Sequence, residues 1–142
     1  MPLSPNRRAE LLSACLLFKG IGADGIASLA GRATEVTFPA GHVIARQGEI
    51  GTGFFIVVSG QVRVVKDGTV LARLGPGEFF GELSVLDGRP RNAMVATETV
   101  TECLALASWD FEATLLANPA LSLAILRGVA TRLRDATEAI RH

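Results

Sequence analysis

Histidine is nearly absent from this sequence of 142 residues: His42, beside a turn, and His142, the last residue, are the only two. A metal-dependent β-roll enzyme clusters imidazoles with carboxylates around one ion, and two such histidines cannot supply the cluster. They also leave too few partners for a Ser/His/Asp or Cys/His arrangement, so no enzyme and no catalytic residue is expected. Cysteine is equally scarce. Cys15 and Cys103 match no metal or redox spacing, and each sits in an apolar run, Ala14-Cys15-Leu16-Leu17 and Cys103-Leu104-Ala105-Leu106. There a buried thiol behaves as a small hydrophobe. Net charge is lacking too: 14 basic residues against 14 acidic give +0, so nothing attracts nucleic acid or anionic lipid in general. Any anion the protein binds must be captured by a local site. No apolar run reaches the roughly 18 residues of a membrane span, and the stretch from Leu121 to Val129 is broken by Arg127. With reduced thiols and no signal peptide to read, a cytoplasmic protein is expected.

What is present argues for one compact domain. Apolar residues make up 49% and charged residues 20%, a globular composition at a length suited to a single core. Residues 1–6, with Pro2 and Pro5, read as a flexible lead-in and 7–142 as the domain. Residues 7–32 are expected to be helical. Leu11, Leu12, Cys15 and Leu16 mark one face of a helix from Arg7 to Leu17, and a second helix runs from Asp24, its N-cap, to Gly31. Residues 33–107 read as β. Val36 and Phe38 alternate with polar neighbours, Pro39-Ala40-Gly41 turns, and Gly48 to Gly53 is a glycine-studded loop. Phe54 to Ser59, Val62 to Val64 and Val70 to Leu74 follow as strands, with a hairpin at Asp67-Gly68 where positive φ is accepted. After an interruption at 79–92, strands resume at Ala93 to Thr97 and Val100 to Ala107. Residues 108–141 turn helical: one helix from Ser108 through Leu116, then Asn118-Pro119 capping a longer one to about Arg141. On it Leu126, Val129, Leu133, Ala136 and Ile140 form a narrow seam that either packs on the roll or meets a second copy as a homodimer. The fold class is α+β: an antiparallel β-roll or jelly roll of about eight strands, flanked by N-terminal helices and a C-terminal helix pair.

The chemistry sits in the interruption, Phe79-Phe80-Gly81-Glu82-Leu83-Ser84-Val85-Leu86-Asp87-Gly88-Arg89-Pro90-Arg91-Asn92-Ala93-Met94-Val95. A glycine where a strand stops, followed by one helical turn, exposes backbone N–H groups as an anion site. An arginine returning at the end of the loop adds a bidentate, charge-assisted contact to a phosphate. The bland alternative makes Arg91 a surface arginine pairing with Asp87, and Glu82 a helix-start residue favoured by the local dipole.

Phe-Gly-Glu-Leu-Ser followed by Pro-Arg-Asn-Ala-Met-Val resembles the phosphate-binding cassette of cyclic-nucleotide-binding domains, with the cassette at 79–95. The likeness extends from Leu17 to Arg141, through Gly41, Gly48, Gly60, Gly77 and the segment Phe55-Ile56-Val57-Val58-Ser59-Gly60. It implies a non-catalytic regulatory sensor whose ligand is cyclic AMP or cyclic GMP, with no cofactor and no metal. By resemblance, Glu82 binds the ribose 2′-hydroxyl and Arg91 the exocyclic phosphate oxygens. Backbone N–H groups around Gly81, Leu83 and Ser84 complete the cradle. Val62 and Leu71 line the base pocket, and the last helix folds over the base as a lid with Thr137 as its polar contact. Asn92 departs from the family, which usually has Ala, Ser or Thr there; its amide can donate and accept, and the choice between adenine and guanine stays open. The rival reading is a ligand-free domain serving as an interaction or dimerisation module. A chain that stops at His142 is not expected to bind DNA directly. An effector domain, in the same protein or in trans, remains open: a freestanding sensor or part of a channel, kinase or transcription factor.

Overall fold

The computed structural model describes residues 3–15, 18, 21–49, 53–81 and 90–140. Helices α1 (Pro5–Ala14) and α2 (Ala23–Arg32) precede strands β1 (Thr34–Phe38), β2 (Val43–Ala45), β3 (Gly53–Ser59), β4 (Val62–Lys66), β5 (Thr69–Leu74), β6 (Phe79–Phe80), β7 (Met94–Thr97) and β8 (Thr101–Ala107). Helices α3 (Ser108–Ala117) and α4 (Pro119–Ile140) close the chain. The strands form two antiparallel four-stranded sheets, ordered β1-β8-β3-β6 and β2-β7-β4-β5. This is the expected α+β roll. The expected interruption at 79–92 opens with a strand, β6, because Phe79 and Phe80 pair with Ile56 and Phe55 of β3.

The molecule has three layers, and the period of β3 and β8 explains them. Side chains alternate across a strand. Phe54, Ile56, Leu104 and Leu106 join a core with Leu12, Phe18, Ile26, Leu29, Phe111, Leu121 and Ile125 from the helical side. Their neighbours Val57 and Cys103 face the other way, into a second core with Ala45, Val62, Phe80 and Val95. A sheet buried on both faces reads as continuous apolar sequence, which is how Phe54 to Val58 reads. Burial pushes the Cys103 thiol up to about 12. Strand β5 lies at the edge of the other sheet, largely exposed. The hairpin before it is as expected, with Asp67 at φ 51 and Gly68 at φ 79, and Gln47 Nε2 donates to Asp67 Oδ1 at 2.9 Å.

Two helix starts differ from expectation. Helix α1 begins at Pro5, not Arg7, so part of the expected lead-in is its cap and first turn. Ser4 Oγ accepts from Arg7 N–H at 3.1 Å and proline takes the first turn, a start signal stronger than the apolar pattern that follows. Leu3 N–H reaches Glu35 on β1 at 2.6 Å. That bond, and then the Arg8 guanidinium, hold the Glu35 carboxyl below its ordinary value. Arg8 also donates to the carbonyls of Ala30 and Ala33 at 2.8 Å each, satisfying acceptors at the end of α2. The N-cap of α2 is Gly22, not Asp24. Ala23 extends the helix backwards, and Asp24 sits in the first turn, where the dipole favours an acid.

At the other end Asn118 caps α4 as expected, its Oδ1 accepting from Leu121 N–H at 3.1 Å. The chain bends by 115° between α3 and α4. The apolar seam of α4 divides. Val129 packs on the helical core, while Leu126 and Leu133 are 64% and 67% exposed. Among the described residues no single helix is long and apolar enough to cross a membrane.

Candidate functional site

Three chain segments meet where β6 ends. The first is β6 itself, held against β3 by pairing and by the ring of Phe80 stacked on Phe55 at 5.1 Å. That pairing delivers Gly81 beside Gly53 at the start of β3. Gly81 has φ +91, and a Cβ built on it would lie 2.6 Å from the Gly53 carbonyl oxygen and 2.8 Å from Arg91 Nη1. Only glycine allows both this backbone and this approach. The second segment is the loop after β2. Gly48 N–H donates to the Arg91 carbonyl at 2.8 Å, and Arg91 N–H donates to the Glu49 carbonyl at 2.7 Å. The third is Arg91, whose Nη2 donates to the Gly53 carbonyl at 2.8 Å.

Arg91 is thus fixed at both ends, by its backbone on the 48–49 loop and by its guanidinium on Gly53. A guanidinium is a planar fork of five donors; one bond to a rigid carbonyl orients the whole plane. Half-buried, it sits where a charge-assisted contact is worth more than in open water. A cavity of about 490 Å³ opens beside it, lined by Arg91, Gly53, Arg46, Glu49, Phe38 and Phe55 among others. The Arg32–Asp110 ion pair, at 3.4 Å, also lines it.

Of the residues singled out in the sequence, Gly81 and Arg91 come together. Asn92 follows Arg91 and is exposed. Glu82, Leu83 and Ser84 lie outside the described residues, as does the rest of the cassette through Arg89. Val62 is fully buried between the sheets. Leu71 is 59% exposed on β5. Thr137 lies on α4 with its hydroxyl donated to the Leu133 carbonyl at 2.8 Å. None of Val62, Leu71 and Thr137 lines the cavity beside Arg91.

Two features escaped sequence reasoning. The carbonyl of Gly53 holds Arg91, and a backbone acceptor leaves no trace in residue type; the glycine-studded loop was its one signal. Arg132 of α4 lies over the Phe79 ring, 5.4 Å from the centroid. Nothing in helix periodicity marks an arginine for that contact.

The chain is an α+β roll of two antiparallel sheets with helices at both ends, and an arginine is set against a bare glycine where a strand stops. Comparison with known proteins specifies the family. Residues 35–118 match the cyclic nucleotide-binding domain, and the chain belongs to that family. It is 32% identical over 88% of its length to a CRP-like cAMP-activated global transcriptional regulator of Mycobacterium tuberculosis, covering 58% of that protein. It is 37% identical over 92% of its length to a cyclic nucleotide-gated potassium channel of Mesorhizobium japonicum, covering 36% of it. Among solved structures, the N-terminal domain of a transcriptional regulator from Streptomyces coelicolor A3(2) superposes with a TM-score of 0.82. The two are 33% identical, over 92% of this chain and 94% of that one. The chain therefore spans between about a third and three-fifths of the two curated relatives.

Proposed function

We propose that this domain is a non-catalytic sensor that binds a cyclic nucleoside monophosphate and passes its presence to an effector. The observation that carries the reading is Arg91, half-buried and fixed against Gly53 with the bare α-carbon of Gly81 beside its guanidinium. An arginine held in this way presents a preorganised fork to a phosphate in a protein with no net charge to attract one. In this reading Arg91 takes the exocyclic phosphate oxygens, together with backbone N–H groups of Gly81, Leu83 and Ser84. Glu82 accepts from the ribose 2′-hydroxyl, and Asn92 offers an amide at the rim. Leu71 presents apolar surface to the base, and Val62 belongs to the packed layer of the same β4–β5 hairpin. Thr137 approaches the base when α4 swings about the Asn118-Pro119 bend. Cyclic AMP is the first ligand to test and cyclic GMP the second, since the regulator to which this chain is similar is named as cAMP-activated.

The effector, by the same reading, is a further domain of a longer protein or a partner in trans. The exposed Leu126 and Leu133 favour a homodimer through α4 as the route. Two buried thiols at Cys15 and Cys103 suit the reducing cytoplasm.

The test is calorimetric titration with cyclic AMP and cyclic GMP, paired with thermal melting. A ligand at a hundred times its dissociation constant stabilises by about 2.7 kcal/mol, a rise of several degrees for a domain of this size. No heat and no rise in melting temperature with either nucleotide overturns the proposal in favour of a ligand-free interaction module.

A further inference from the structure

The inner face of α4 follows one rule along its length. Leu121 and Ile125 are buried and Val129 packs on the same core. Arg132 comes next on that face, at helical spacing. Its guanidinium carbon lies over Phe79, 5.4 Å from the ring centroid. Past it, residues 133–136 are exposed. So the anchoring face changes from aliphatic to cationic where it passes β6.

Phe79 is a firm seat. It is half-buried, paired with Ile56 across β3, and its ring leans on Phe54 at 5.8 Å. Its neighbour Phe80 stacks on Phe55 at 5.1 Å. Gly81, the next residue, packs against Arg91. The strand that carries the cation's seat therefore also carries the glycine at the anion corner. Only Phe80 of this paired strand lies between Phe79, the seat of Arg132, and Gly81, so a shift at Gly81 would be felt at the ring under Arg132. A packed aromatic pair transmits such a shift because it cannot deform continuously.

We propose that Phe79 is a positioning residue for the ligand site: its ring seats Arg132 and so sets how the outer half of α4 lies relative to the Gly81–Arg91 corner. The role deepens the reading of the domain as a cyclic-nucleotide sensor and rests on it. The cation–ring contact itself is independent of any ligand. A guanidinium over an aromatic face is attracted by the ring quadrupole, most strongly where water is partly excluded.

The test is a double-mutant cycle on the whole chain, read by hydrogen exchange at residues 130–138 without nucleotide. Phe79→Leu keeps an apolar side chain and removes the π face; Arg132→Gln keeps a polar, helix-compatible side chain and removes the cation. Each is expected to speed exchange there by about two- to five-fold, the size of a partly exposed cation–π contact. The double variant is expected to be no faster than Arg132→Gln alone, and Arg132→Lys to keep the protection. Effects that multiply in the double variant, or a lysine as damaging as glutamine, overturn the contact. Cyclic AMP titration then reads the coupling. Phe79→Leu and Arg132→Gln are both expected to weaken affinity. Loss with Arg132→Gln alone makes Arg132 a direct ligand contact and overturns the role of Phe79, as does unchanged affinity in both. If the wild-type chain binds no cyclic nucleotide, the sensor reading fails and the positioning role with it, while the exchange cycle still decides whether the seat exists.

Discussion

The guanidinium of Arg91 lies against the side-chain space that Gly81 leaves empty: a Cβ there would stand 2.8 Å from Nη1 and 2.6 Å from the Gly53 carbonyl to which Nη2 is bonded. The glycine and the arginine are one device, and substitutions at either should report on the same site.

Gly81→Ala combines a strained backbone with a clash. Positive φ on a residue with a Cβ, at a site with no room, costs on the order of 1–3 kcal/mol, and the displaced guanidinium should lose its anion as well. Gly77→Ala is the control, because Gly77 has φ +88 but open space around its missing Cβ. We expect it to lower stability by about 1 kcal/mol and to leave nucleotide affinity unchanged. Chemical denaturation and calorimetry on both variants check this; equal effects on binding would separate Gly81 from the site.

Arg91→Ala should remove a desolvated, charge-assisted phosphate contact and cost about 2 to 5 kcal/mol of binding. Arg91→Lys should fall between, since an ammonium keeps the charge and loses the fork. Titration of the three proteins with one nucleotide measures the series. An alanine variant that binds as tightly as wild type would remove Arg91 from the phosphate.

Cys103 makes stability fall in alkali. Burial raises its thiol from 9.0 to about 12, so the folded protein keeps a neutral thiol while the unfolded chain ionises. The stabilisation is complete below pH 9 and is lost as pH rises from there toward 12. Urea midpoints of wild type and Cys103→Ala between pH 8 and 10.5 are expected to converge, wild type falling faster. A constant difference would mean the thiol does not titrate as its burial dictates.

Glu35 acts at the acid end with the opposite sign. The Leu3 N–H and then Arg8 hold its carboxyl below 4.5. Its contribution is present above that value and is lost as pH falls through the lower, folded one. Glu35→Gln should flatten the acid limb of the stability profile and free the start of α1. Proteolysis near residues 3–8, faster in the variant at pH 7 and equal to wild type at low pH, is the readout.

Local chemistry was legible along the chain. Asp67-Gly68 makes its hairpin because two adjacent positive φ values need these residue types. Asn118-Pro119 divides α3 from α4 because an Asx cap and a fixed φ start a helix wherever they occur. The strands other than β6 follow from apolar runs, side-chain alternation and turn residues; β6 reads as part of the interruption, since a two-residue strand is too short to show a period. Glycine at 81 and arginine at 91 could be read as one device because the family resemblance joins them across the intervening loop. Helix starts were misplaced by a residue or two, where Ser4-Pro5 and Ala23 outweighed the apolar pattern.

Tertiary structure decided what depends on atoms distant in sequence. Alternation shows that β3 has two faces and cannot say which one meets the helices; packing of Phe54 and Ile56 on Phe18 and Phe111 chose. Val62 and Leu71 look alike as apolar strand residues, yet one is sealed between sheets and the other is 59% exposed, because β4 is interior and β5 is an edge. The Gly53 carbonyl that orients Arg91 belongs to the backbone, which every residue shares, so no residue type signals it. Arg132 finds Phe79 only once α4 has turned through its bend and been laid against β6. Local conformational preference acts within a few residues and leaves a mark in the sequence. The seat of a cation and the aim of a guanidinium are set by the packed whole.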